Sequence, residues 1–124
     1  MTIIELSQVY GAIGQFVYLW KKIIEPAIKD RNISPAIAMI STSSQEFIAL
    51  EEANAFHNIP ERAHILYRTA LTHLEGLALT REEQEPARQK LEEKIRQSAS
   101  VQISQLDMLL QGNPDYDATR RRVD

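Results

Sequence analysis

The chain has 124 residues, 44% of them hydrophobic and 25% charged, with a net charge of -3. That is the size and make-up of one soluble globular domain able to bury a workable core. The absence of cysteine excludes disulfide scaffolds, thiolate metal sites and cysteine nucleophiles, and no segment forms the basic stripe that a phosphate backbone needs.

The first predicted helix spans Ile3 to Ile24. Leu6, Val9, Ile13, Phe16, Trp20 and Ile23 follow a 3-4-3-4-3 spacing, and Ile3, Tyr10, Val17 and Ile24 add a second stripe at intervals of seven. At helical periodicity the two merge into one wide apolar face. Glu5, Gln8 and Gln15 interrupt the apolar run and Lys21 and Lys22 close it, so no membrane span of about 20 residues is read. Neither a basic n-region nor a small-residue cleavage site is present at the N-terminus, so no signal peptide is expected. Pro26 is expected to end the helix, because Glu25 before it is biased out of the helical region.

Capping boxes recur along the chain, each a Ser, Thr or Asn with Glu three residues on: Thr2 with Glu5, Ser43 with Glu46, Asn58 with Glu61, Thr80 with Glu83. Each precedes an apolar periodic run, so four main helices are predicted. Between the first and second, Ser34 and Pro35 suit the start of a short helix over Ala36 to Ile40. A break is expected at Ser41 to Ser44, since hydroxyl side chains compete for backbone hydrogen bonds. The second main helix is then Ser44 to His57.

The third runs from Pro60 to Leu79, with Ala63, Leu66, Tyr67, Ala70, Leu74 and Leu77 facing the core and Glu61, His64, Arg68, Thr72 and Glu75 opposite. The fourth begins near Arg81, but Pro86 should kink it or move its start. Its stripe is Leu91, Ile95, Ala99, Ile103, Leu106 and Leu110, with Gln102 as a core amide near the middle. Gly112 and Pro114 stop it. Residues 113–124 have little to bury and are expected to be a disordered tail. Its three arginines are cancelled by Asp115, Asp117 and Asp124. The predicted architecture is all-α: an antiparallel four-helix bundle over residues 1–112, with a short extra helix or irregular link between helices 1 and 2.

Two constellations could carry chemistry. Arg68-Thr-Ala-Leu-Thr-His73 resembles the Arg-x4-His signature of HEPN-type ribonucleases, helical dimers that cleave RNA. The resemblance covers six residues and implies Arg68 as a phosphate-stabilising cation and His73 as an acid-base group. Thr69 stands where that family has a polar Asn, Asp or His. On one continuous helix the pair lies about 140° apart. Glu61 and His64 have the Glu-x-x-His spacing of carboxylate-bridged di-iron bundles, but once only and on the polar face. No metal and no cofactor are therefore expected.

Gly11 and Gly14 lie on the far side of helix 1 from its core stripe, together with Ser7 and Tyr18. Each glycine costs roughly 1 kcal/mol against alanine in a helix interior. The four residues are expected to form a shallow groove that a second helix could approach closely. Helix 1 also carries more apolar surface than one core contact requires, and such surplus often marks an interface. The expected function is thus a small non-enzymatic, cytoplasmic helical protein acting through protein–protein interaction. It is expected to form a homo-oligomer, most simply a two-fold dimer through helix 1, and to bind a protein partner. A HEPN-like ribonuclease using Arg68 and His73 is the alternative.

Overall fold

The computed structural model describes residues 6–30, 34–78 and 85–121. They are all-α, and among them there is no strand. The elements are α1 (Leu6–Leu19), a π-helical turn (Trp20–Ile24), α2 (Glu25–Lys29), α3 (Ser34–Glu52), a 3-10 turn (Ala55–Asn58), α4 (Glu61–Ala78), α5 (Glu85–Leu110) and α6 (Pro114–Arg121). No helix of the described residues is long and apolar enough to cross a membrane.

Pro26 does not end the first helix. Glu25 keeps helical angles, and its N–H bonds to the Trp20 carbonyl five residues back. Proline brings no N–H and crowds the carbonyl four residues before it. The wider π turn absorbs both problems and lets the rod continue as α2. Trp20 and Ile24, at either end of that turn, are both buried.

The expected break at Ser41 to Ser44 is also absent, and α3 runs unbroken through it. The Thr42 hydroxyl donates to the Ala38 carbonyl at 2.9 Å, joining a helical acceptor rather than diverting it. Ser43 is buried, so the expected capping box of Ser43 and Glu46 lies inside a helix. The rod stops after Glu52, where Asn54 takes φ +56°, a left-handed conformation that asparagine tolerates. Residues 55–57, expected as the end of that helix, lie in the 3-10 turn Ala55–Asn58 instead. Helix α4 then starts three residues after Asn58, its first carbonyl acceptor being Pro60, which receives Ala63 N–H at 3.0 Å. The two remaining capping boxes, at Thr2 and Thr80, lie outside the described residues.

Helix α5 is described from Glu85, with Pro86 next to that end, and the expected start near Arg81 lies outside the described residues. Its inner face holds Ala99, Ile103, Leu106 and Leu110 as expected, but Glu92 and Asp107 are buried with them. Leu91, expected in the stripe, is 42% exposed, and Gln102 is half-buried.

Named contacts set the packing directions. Glu51 meets His64 and Arg68 while Ser44 meets Glu75, so α3 and α4 are antiparallel. Arg62 reaches Gln105 across α4 and α5, and Lys21 reaches Asp107 while Glu25 reaches Arg96 across the first rod and α5. At the centre, Phe16 of α1 stacks on Tyr67 of α4 with ring centroids 4.9 Å apart, and Phe47 of α3 meets the Tyr67 ring edge-on at the same separation. Such pairs add roughly 1 kcal/mol each beyond area burial.

Residues 113–121 are not a disordered tail. Asn113 Oδ1 accepts the N–H groups of Asp115 and Tyr116, an N-cap. Pro114 fills the first position and Asp115 and Asp117 the first turn of α6, where acidic groups favour the helix dipole. Tyr116 is fully buried.

Candidate functional site

The glycine face of α1 is a helix-packing groove, and this chain's own α6 fills it. A Cβ at Gly14 would lie 2.9 Å from Thr119 Cβ and 3.2 Å from the Tyr116 carbonyl oxygen. At Gly11 a Cβ would lie 3.5 Å from Thr119 Oγ1, an ordinary contact. Gly14 meets residue 116 and both glycines meet residue 119, so α6 runs antiparallel to α1. Tyr18 lies on the same stripe and is half-buried. Ser7 sits in the first turn of α1, and its side chain is outside the described set. The sequence pattern thus locates a close helix approach, and the structure supplies the helix from within the chain.

Helix α6 is also tied to α5, through Asp107. The Tyr116 hydroxyl donates to Asp107 Oδ1 at 2.5 Å. Gln111 Nε2 reaches Asp107 Oδ2 at 3.2 Å, and Lys21 Nζ lies 3.6 Å from the same oxygen. An acid inside the α5 stripe is therefore a node joining the π turn, α5 and α6. The intervening turn places Gly112 at φ +96° and ties its N–H to Asp117 Oδ2 at 3.1 Å.

A polar cluster bridges α3 and α4. Glu51 Oε2 is 2.8 Å from an Arg68 guanidinium nitrogen and 2.9 Å from His64 Nε2. The Arg68 guanidinium, and after it His64, holds the Glu51 carboxyl below the usual carboxylate range. His64 stacks flat on Phe56, with centroids 4.2 Å apart and planes at 6°, so the imidazole is oriented by one aromatic face and one carboxylate. Nearby, partial burial pushes the Glu46 carboxyl above its usual range. Burial, with the Glu46 charge second, pushes the Tyr67 phenol up.

Comparison of this chain with family models, with curated proteins and with solved structures finds no match.

The residues singled out as chemistry are thus distributed otherwise than their spacing implied. Arg68 joins His64 and Glu51, not His73. The His73 Nδ1 is buried with no hydrogen-bond partner among the described residues. His64 turns to Glu51 rather than to Glu61, which is exposed. Among the described residues no three His, Cys, Asp or Glu side chains converge as metal ligands. The residues that sequence reading passed over are Asp107 and Tyr116. Their signal was present: one aromatic in a charged stretch, preceded by the Gly-Asn-Pro-Asp order that stops one helix and starts another.

Proposed function

We propose that this protein acts by binding protein, without catalysis, through the outer face of the α4–α5 pair. The observation that carries this reading is the exposure of Met108, 72%, and Val101, 52%, on the solvent side of α5. They lie seven residues apart, two helical turns, and so share one stripe. Ile65 on α4 and Leu109 on α5 are also exposed, at 49% and 40%. Scattered exposed apolar residues are normal, whereas aligned ones favour an interface. A second copy of this chain is the simplest partner, because a two-fold axis would set Val101 and Met108 against their own equivalents. The commitment of Arg68 to Glu51, away from His73, favours this role over RNA cleavage.

Light scattering after size-exclusion chromatography tests the reading. At roughly 50 µM, in the range where association shifts by mass action, the wild type is expected to contain dimer, and the double variant Val101→Glu/Met108→Glu to run as a folded monomer. A wild type that is monomeric throughout would remove self-association through this face.

A further inference from the structure

Apart from the proposed α4–α5 face, the α1 groove holds this chain's own α6. We propose that α6 is exchangeable, and that the Gly11–Gly14 groove of one copy docks α6 of a second copy as a reciprocal swap. The occupant is defined by what already sits there: a short helix presenting Tyr116 to Asp107 and Thr119 to the two glycines. The contacts of α6 with the groove and with Asp107 can be remade between two chains, so the hinge, with its Gly112 to Asp117 bond, and the chain concentration distinguish the two states.

Three features favour release of α6. Its anchorage is narrow: among its described side chains Tyr116 alone is fully buried, while Pro114, Asp115 and Ala118 are exposed. In the docked state Asp117 Oδ1 is buried with no hydrogen-bond partner among the described residues, which burial penalises. Its tether is three residues, Gln111 to Asn113, centred on Gly112 at φ +96° with nothing within 4 Å of the Cβ position. A glycine in open space can change backbone region without a steric barrier. The groove, in contrast, is built into α1. Gly14 is buried and its Cβ position stands 2.9 Å from Thr119 and 3.2 Å from the Tyr116 carbonyl, so the surface is shaped for the close approach of a helix.

The absence of native cysteine permits a direct test in the full chain. The Gly11→Cys variant is mixed with a mass-tagged Thr119→Cys variant and oxidised. The 3.5 Å between the Gly11 Cβ position and Thr119 Oγ1 is within disulfide reach. Exchange predicts a mixed covalent dimer on a non-reducing gel. Its yield should rise with concentration toward about 1 mM, the effective concentration of a short tether, and exceed by several-fold that of a control mixing Gly11→Cys with Gln45→Cys at an exposed α3 position. The double variant Gly11→Cys/Thr119→Cys should close within one chain when dilute. Closure within the chain at every concentration, with no mixed dimer above the control, overturns the exchange. Failure of the double variant to close at all also overturns it, because α6 would then not occupy the groove. Adding Val101→Glu/Met108→Glu to both chains should leave the mixed dimer intact, so this proposal and the α4–α5 interface can fail separately.

Discussion

Two helices of this protein invert the usual reading of hydrophobicity. Helix α1 is the most apolar stretch of the chain, yet it is surrounded: Val9, Tyr10, Ala12, Ile13, Gly14, Phe16 and Val17 are all buried, against α3 and α4 on one side and α6 on the other. Helix α5 is far more polar, yet it leaves Val101 and Met108 in solvent. A helix that is apolar nearly all round is an internal helix, and surplus apolar surface on it is absorbed by the chain itself. A few apolar residues on the outer spine of a polar helix have no such use inside the chain.

The sharpest way to break this contrast is at Gly14. Gly14→Leu forces a side chain into Thr119 and the α6 backbone and should cost about 3 kcal/mol, the upper range for overpacking, with loss of α6 protection in hydrogen exchange. Gly11→Ala should instead gain up to about 1 kcal/mol through helix propensity, because its Cβ meets only an ordinary contact. Urea unfolding of the two variants reads both signs, and equal effects at the two glycines would show that α6 does not rest on this face. Next in size is Tyr116→Phe. It removes a donor to the buried Asp107 and should cost about 2 kcal/mol, as for a hydrogen bond to a charged group. An unchanged stability would mean that the Asp107 node does not hold α6.

The smallest effects lie in the α3–α4 cluster and depend on pH. The Glu51 carboxyl is depressed by Arg68. Its contribution is therefore present above the ordinary carboxylate value and lost as pH falls through the folded one. Both side chains are substantially exposed, so Glu51→Gln should cost only about 0.5 kcal/mol at pH 7, and nothing at a pH low enough to protonate the carboxylate. Glu46 has the opposite sign. Its raised carboxyl destabilises as pH rises past the ordinary value, so Glu46→Gln should stabilise slightly at pH 7 and not at low pH. Denaturant midpoints at the two pH values check both, and parallel shifts in the two variants would contradict the opposed environments.

Much of the helical pattern was legible because periodicity records which face each helix buries. Ala63, Leu66, Tyr67, Ala70, Leu74 and Leu77 were expected inward and are buried. Errors came where two local rules compete. Pro26 and the hydroxyl run at 41–44 read as breaks, but neighbouring packing outweighs local preference: a π turn accommodates the proline while Trp20 and Ile24 stay buried, and α3 stays whole with Ser43 in the core. The glycine groove was legible as a place of close approach. Its occupant was not, because α6 carries one buried aromatic among charged residues and its burial depends on Asp107, nine residues before it in sequence.

By itself the sequence determined the all-α class, the inward stripes and the absence of cysteine chemistry, since these depend on residue type and helical period alone. Only the tertiary structure decided that α6 closes the groove on α1 and that His64 and Arg68 share Glu51. Each joins groups distant along the chain, and whether they meet depends on how the rods pack rather than on any local preference.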